Sequence, residues 1–477
     1  MHKSAPYLRP KTSHCVGTRI RATTFLYLQG HRIYIINVMS KDYWNPEIEL
    51  LNREEIEALQ LRRLKEVLER CTRSPFYREW FTGAGFDPTK VGSLQDIRRL
   101  PLMDKDTLRG EDPARFLTVP SDDIVRMHSS SGTTGQATVI FHTAADIQAW
   151  AELGARCMYM TGVRRSDVFQ NMMGYGLFTG GLGFHYAAET LGAMVIPAGS
   201  GSSKRQVQLM RDFGTTVIHI IPSYALYMLE VFEELGLDPR EDTQLRILLI
   251  GAEPHTEGLR SRVEEAYGAD AYNSYGLSEM SGPGVSFECP AKEGMHLWED
   301  SFLLEVLDPD SQEPVKEGEE GELVFTSLHR EGMPLLRYRT RDLSFVYPDT
   351  CSCGRAHRRI SRIKGRTDDM FIVKGVNIFP MQVERILLGI LGVGSNYRIV
   401  LDTIGVMDEM RVMVEVSGEL WHGEVRELKQ LRDRIVTELR QEILLTPIVE
   451  LVEPGALPQG EGKAVRVEDK REHMRGG

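Results

Sequence analysis

Three short apolar runs, Val195-Ile196, Thr216–Ile221 and Leu245–Ile250, are each bounded by Gly, Pro or Asp and separated by segments with helical spacing. An apolar run without alternation marks a strand covered on both faces, and such strands are usually joined through helices. The pattern predicts an α/β chain in which buried strands and helices form mixed layers. Helical punctuation agrees with it. Asn52-Arg-Glu-Glu55 reads as an N-cap with a carboxylate reaching back, and Ile56, Leu59, Leu64, Val67 and Leu68 follow with helical spacing. Leu100–Asp104 reads as a loop ahead of another helix.

The texture changes near Gly365. Met410–Val416 alternates as a half-exposed strand does, Leu428, Leu431, Ile435 and Leu439 share a helix face, and Ile448–Val452 reads as a further strand. The expected organisation is a large domain over 39–364, a connector at 365–369 and a small α+β domain over 370–477, with a loop at Pro454–Lys463. Residues 1–38 stand apart, with six Lys/Arg and no Asp or Glu in a chain of net charge −11. They lack the apolar core and small-residue exit of a secretory signal. An organellar presequence fits their composition, as does an upstream extension of a chain that starts naturally at Met39. The abrupt onset of globular texture at Met39 favours the extension.

The same net charge argues against gripping a phosphate backbone, so nucleic acid is not an expected partner. No uninterrupted apolar run reaches the ~18 residues of a membrane span, so no membrane is expected either. Six cysteines among 477 residues argue against a disulfide framework and for a reducing, cytoplasmic setting. Small anions need only a local excess of positive charge. Arg355–Lys374 has one, seven Lys/Arg against two Asp, although a solvated basic face would read the same way.

Ser129-Ser130-Ser131-Gly132-Thr133-Thr134-Gly135-Gln136 follows the strand-like Ile124–Met127. Glycines let a backbone turn its N–H groups toward one point and hydroxyls add donors without bulk, a composition suited to phosphate oxygens. No Lys follows Gly135, so this is not a GxxxxGK[ST] loop, and alone it reads equally as a flexible turn. Gly251-Ala252-Glu253-Pro254 lies at the C-terminal end of a buried strand, where open α/β sheets bind ligands. Asn273-Ser274-Tyr275-Gly276-Leu277-Ser278-Glu279 places an aromatic face, a close-approach glycine, a hydroxyl and a carboxylate in seven residues. Arg337–Asp342 sets one carboxylate among three guanidiniums, Gly365–Asp369 opens the small domain, and Gly460–Lys463 lies on its last loop.

In this order the segments resemble the adenylate-forming superfamily of acyl-CoA synthetases, luciferases and peptide-synthetase adenylation domains. Within it the chain most resembles the phenylacetate–CoA ligases. The narrower likeness rests on Tyr175–Gly181, Gly251–Pro254, Tyr275–Glu279, Gly375–Pro380 and Glu461–Arg466, and runs from about Met39 to the end. It implies a large mixed α/β domain with a small mobile C-terminal domain. The implied activity is activation of an aryl acid with ATP and Mg²⁺, then transfer of the acyl group to coenzyme A. A homodimer is the family-level expectation.

By the resemblance, Ser130, Ser131, Gly132, Thr133, Thr134 and Gly135 hold the β- and γ-phosphates. Glu279 holds Mg²⁺, with Ser278 near the α-phosphate. Tyr275 stacks on adenine, flanked by Gly251, Ala252, Glu253 and Pro254, and Asn273, Ser274 and Gly276 complete that wall. Asp342 accepts the ribose hydroxyls, with Arg366 also facing the ribose. Lys463 bridges the acid's carboxylate and the α-phosphate in the first step and is withdrawn for the second. Asp368 is the hinge, about which Lys374, Gly375 and Asn377 are carried in to complete a pantetheine tunnel. Family loops usually read Gly-Thr-Thr-Gly-Lys-Pro, whereas here Gln136 and Ala137 follow Gly135, removing a cation beside the triphosphate. Tyr175, Phe178 and Phe184 supply aromatic walls for an aryl acid and Gly180 and Gly181 clearance, although core packing is the ordinary role of such residues.

Cys289, His296, Cys351 and Cys353 make a complete tetrahedral zinc set, although C-x-C is tighter than the usual spacing. With no ligand position left open, the expected role is structural. Two other functions fit the same motifs: transfer of AMP to a non-carboxylate acceptor without CoA, and nucleotide binding without turnover.

Overall fold

The computed structural model describes residues 23–29, 32–38, 43–129, 138–253, 255–374, 376–404, 407–423, 425–458 and 466–471. Its centre is an eight-stranded sheet. Met194–Ile196, Val168–Asn171, Val217–Ile220, Ile247–Gly251 and Asp270–Leu277 lie side by side and parallel, and Gly282–Glu288, Met295–Leu297 and Arg359–Ile360 continue the sheet antiparallel. Every residue of Val217–Ile220 and Ile247–Gly251 is buried. Alternate side chains serve opposite faces: Val217, Ile247 and Leu249 join one core cluster, and Ile218, Ile220, Leu248 and Ile250 join another. Helices Ala144–Met160 and Thr179–Leu191 contribute to the first, and Pro222–Glu234 and Glu257–Tyr267 to the second.

The helix Arg53–Cys71 begins at the expected capping box: Asn52 Oδ1 accepts from the Glu55 amide at 3.0 Å, and Glu55 Oε2 accepts from the Asn52 amide at 2.9 Å. Ile124–Ser129 is a strand, but it lies outside the main sheet and pairs antiparallel with Val139–Thr143. In the basic N-terminal stretch, Thr23–Gln29 pairs antiparallel with Arg32–Val38.

A second sheet, Phe302–Leu307, Gly321–Ser327, Tyr338–Ser344 and Gly365–Arg366, is antiparallel. Gly365 and Arg366 therefore belong to the large domain's framework, and the chain leaves it within 365–369. The small domain's core begins at Phe371. There Val393–Ile404 and Met407–Val416 pair antiparallel, with Ile448–Val452 and Val467–Asp469 parallel on the outer edges. Helix Val425–Ile443 buries Leu431, Ile435, Leu439 and Ile443 against them. Leu388, on the small-domain helix Pro380–Leu388, joins the core cluster of Phe232 and Tyr267, so the small domain docks on the large one. No described helix is long and apolar enough to cross a membrane.

Candidate active site

The C-terminal ends of the parallel strands open into a cleft of about 1170 Å³, closed from above by Asn396, Tyr397, Pro458 and Arg466 of the small domain. Of the residues singled out in the sequence, Ser130, Ser131, Gly132, Thr133, Thr134, Gly135, Pro254, Gly375 and Lys463 lie outside the described residues, as does the side chain of Asn377. Their described neighbours are informative. Ser129 donates its amide to the Leu177 carbonyl at 3.0 Å, and Leu177 lines the cleft. Pro458 and Arg466, which flank 459–465, both line it as well.

At one end the cleft is built around Asp342. Its Oδ2 accepts from the Tyr275 hydroxyl at 2.6 Å and its Oδ1 from Arg366 Nη1 at 2.7 Å. Burial and the adjoining carboxylate push the Tyr275 phenol well above its ordinary range, so it remains a donor. Arg366 also grips Asp368 with Nε and Nη2, at 2.9 and 3.0 Å, which ties this carboxylate to the interdomain connector. Asn273, Ser274, Gly276, Ala252 and Glu253 line the same wall. A Cβ at position 276 would lie 2.1 Å from the Gly282 carbonyl oxygen, so only glycine fits that strand crossing. A Cβ at Gly251 would meet Ser274 at 2.3 Å. Ala252 is left-handed at φ 68°, a strain of roughly 1–2 kcal/mol beside the site. Glu253 also caps a helix, accepting from the Ser223 amide at 2.5 Å.

Ser278 and Glu279 occupy a short 3-10 turn facing the cleft. Ser278 Oγ lies 3.2 Å from Thr179 Oγ1, and the Glu279 carbonyl accepts from Arg330 at 2.6 Å. Glu279 is buried, yet its Oε1 has no hydrogen-bond partner; the Lys105 ammonium stands 3.7 Å away. A buried carboxylate beside the cleft, with one oxygen lacking a hydrogen-bond partner, fits a divalent cation. Lys105 and the fully buried Arg330 were not anticipated. Lys105 begins an ordinary capped helix and Arg330 lies in a loop, so neither carries a local signal.

At the other end Tyr175, Phe178, Gly180 and Phe184 line the cleft. Gly181 does not. A Cβ there would lie 2.4 Å from the Gly174 carbonyl oxygen, and one at Gly180 would lie 2.4 Å from the Phe178 ring. The clearance expected for a ligand ring is thus taken up by the protein's own loop. The Tyr175 hydroxyl accepts from Asn171 Nδ2 at 3.0 Å and meets His185 Nδ1 at 3.1 Å. Met172 and His219 complete this end. His219 was legible as a polar residue in an otherwise apolar strand.

Lys374 is exposed at φ 50°, on the turn between Phe371–Val373 and Val376–Ile378, and is not part of the cleft wall. The basic excess of Arg355–Lys374 is largely neutralised by carboxylates from elsewhere. Arg355 pairs with Glu49, Arg358 with Glu299, Arg359 with Glu293, Arg362 with Glu257 and Glu288, and Arg366 with Asp342. Of that stretch, Arg362 and Arg366 reach the cleft with Ile363.

Outside the cleft, one ligand atom from each of Cys289, His296, Cys351 and Cys353 lies within 4.8 Å of the others. Cys289 Sγ is 3.6 Å from Cys351 Sγ, and Cys353 Sγ is 3.2 Å from His296 Nε2. His296 Nδ1 faces the His357 carbonyl at 3.1 Å and must donate to it, which leaves the Nε2 lone pair directed at the thiols. The donor set and its orientation fit a tetrahedral cation.

This two-domain fold, with its cleft at the ends of the parallel strands, defines an adenylate-forming enzyme. A family model described as AMP-binding enzyme matches residues 71–329, and one described as AMP-binding enzyme C-terminal domain matches 375–471. The chain belongs to the phenylacetate–CoA ligase family within this class. It is 45% identical to the phenylacetate–coenzyme A ligase of Thermus thermophilus, over 89% of this chain and 98% of that protein. It is 41% identical to that of Escherichia coli, over 89% and 97%. A 2-hydroxyisobutyryl-CoA ligase solved in its postadenylation state with 2-HIB-AMP superposes with a TM-score of 0.86 at 32% identity, covering 94% of this chain and 95% of that one. The same ligase in its thioesterification state gives 0.68 at equal identity and coverage, so the difference is one of arrangement.

Proposed function

We propose that this chain is an AMP-forming ligase that activates phenylacetate or a related aryl acid with ATP and passes the acyl group to coenzyme A. The observation that carries the reading is the cleft itself, which brings Asp342, Glu279, Tyr175, Phe178 and Phe184 to one lining beneath a small domain arranged as in a postadenylation relative. ATP brings a ribose diol for Asp342, for which an ionised carboxylate is suited. Glu279 would hold Mg²⁺, which supplies charge to offset that developing on the phosphoryl oxygens. Thr179 fixes Ser278 for the α-phosphate region. The Ser130–Gly135 segment would receive the departing pyrophosphate, and Asp368 would be the pivot for the second step.

Purified protein with ATP, Mg²⁺ and a panel of aryl acids should release pyrophosphate only when an acid is present, and CoA should raise turnover by about tenfold or more. A family member that passed AMP to another acceptor would show no response to CoA, and no release with any acid would overturn the ligase reading.

Cys289, His296, Cys351 and Cys353 would hold a structural Zn²⁺ that ties the strand pair after Glu279 to the segment ahead of the connector. Protein purified without added zinc should carry about one zinc per chain. Cys351→Ser should lose it and melt about 5–10 °C lower. A metal content near zero in the parent protein would dispose of the assignment.

A further inference from the structure

His219 sits near the C-terminal end of Val217–Ile220 and is 2% exposed, yet its ring lines the cleft. It lies against Phe184, ring centroids 3.9 Å apart, with Met172, Ile221 and Pro283 as further apolar walls of the cavity. A polar ring in such a place demands a reason.

Its neighbours fix where its proton resides. Asn171 points one amide atom at the Gly181 carbonyl, 2.6 Å away. A carbonyl only accepts, so that atom is the Nδ2 nitrogen. Asn171 Oδ1 therefore accepts from the Met173 amide at 3.3 Å and faces His219 Nδ1, also at 3.3 Å. An oxygen acceptor at that position requires the proton on Nδ1, leaving the lone pair on Nε2. Burial pushes the imidazole down to about 3, so the ring is neutral over any working pH. Nε2 has no hydrogen-bond partner among the described residues, and it is not among the sealed polar atoms of the interior. The cavity wall thus presents one fixed acceptor in apolar surroundings.

We infer that His219 Nε2 accepts a hydrogen bond from a donor carried on the ring of the acid, so that the substrate class is a hydroxy- or NH-bearing aryl acid rather than an unsubstituted one. The inference rests on the ligase reading above and narrows it. A ring hydroxyl or indole N–H gives up water on entering and recovers one bond at Nε2. An acid with no donor leaves Nε2 dry or obliges it to trap a water. A site built around a hydrogen bond discriminates against the analogue that lacks it far better than an apolar slot discriminates by size.

The test compares kcat/KM for AMP release with CoA across matched acids: phenylacetate, 3- and 4-hydroxyphenylacetate, the corresponding methoxyphenylacetates and indole-3-acetate. At least one donor-bearing acid should exceed phenylacetate and, where it is a hydroxy acid, its own methoxy counterpart by about tenfold or more. His219→Leu should bring that ratio close to one, and His219→Gln, which keeps an acceptor, should retain part of it. The hydroxy-to-methoxy ratio of the parent protein decides the matter even if His219→Leu does not fold. Equal or better turnover of the donor-free acids, or a ratio unchanged in His219→Leu, overturns the inference while leaving the ligase intact. Absence of AMP release with every acid is the separate failure of the ligase reading itself, and the inference falls with it.

Discussion

Lys463→Ala is expected to lose acyl-adenylate formation by about 10²–10³-fold while still converting pre-formed acyl-adenylate to the thioester at close to the parent rate. The first step brings a carboxylate against the α-phosphate, so two anions meet and charge builds on the phosphoryl oxygens. A positioned ammonium offsets that charge, whereas attack of a thiolate on the finished adenylate has no such need. Arg466 lines the cleft and is held by Asn396 and the Tyr397 carbonyl. Lys463 is three residues upstream, a span of at most about 10 Å of backbone, to which its own long side chain adds reach. Gln136 in place of the usual loop lysine makes the remaining cations weigh more, and Lys105 near Glu279 is one of them. ATP–pyrophosphate exchange measures the first step, and single-turnover thioester formation from synthetic acyl-adenylate measures the second. Exchange that survives in the variant, or equal loss in both assays, would remove Lys463 from the role.

What the amino-acid order made legible was whatever depends on near neighbours or on burial. Val217–Ile220 and Ile247–Gly251 were readable because strands covered on both faces are predominantly apolar, His219 being the exception here. Asn52 and Glu55 were readable because a capping box is complete within four residues. The thiols and imidazole around Cys289 were readable from donor chemistry alone, even though their spacing is irregular. What stayed hidden depends on distant partners. The guanidiniums of Arg355–Lys374 looked like an anion receptor, yet Glu49, Glu288 and Glu299, between about 60 and 310 positions away, neutralise many of them. Gly181 looked like clearance for a ligand, but the atom it clears is the Gly174 carbonyl oxygen. Lys105 and Arg330 meet Glu279 only through the tertiary fold.

Asp342→Asn should raise the KM for ATP by about 10²-fold or more with a smaller change in kcat. The substitution keeps the shape: the amide oxygen can still take the Arg366 Nη1 hydrogen bond, and Nδ2 can turn to the Tyr275 hydroxyl oxygen, which reverses that bond. What is lost is the negative charge and one acceptor. Hydrogen bonds to a charged group are worth roughly 1.5–3 kcal/mol each, and in the proposed reading two ribose hydroxyls would depend on this one carboxylate. The second consequence lies at the connector. In the parent protein Arg366 is shared between Asp342 and Asp368, so the proposed ribose carboxylate and the connector are held by one guanidinium. With a neutral residue at 342, the ionic partners left to Arg366 among the described residues are Asp368 and Asp369, which should favour the arrangement in which Asp368 stays clamped. The thioester step, measured from pre-formed acyl-adenylate, should then slow as well, and the double variant Asp342→Asn/Asp368→Asn should recover part of that second loss. An unchanged KM for ATP would rule out the ribose role. A thioester rate that falls equally in the single and double variants would show that Arg366 does not couple the two places.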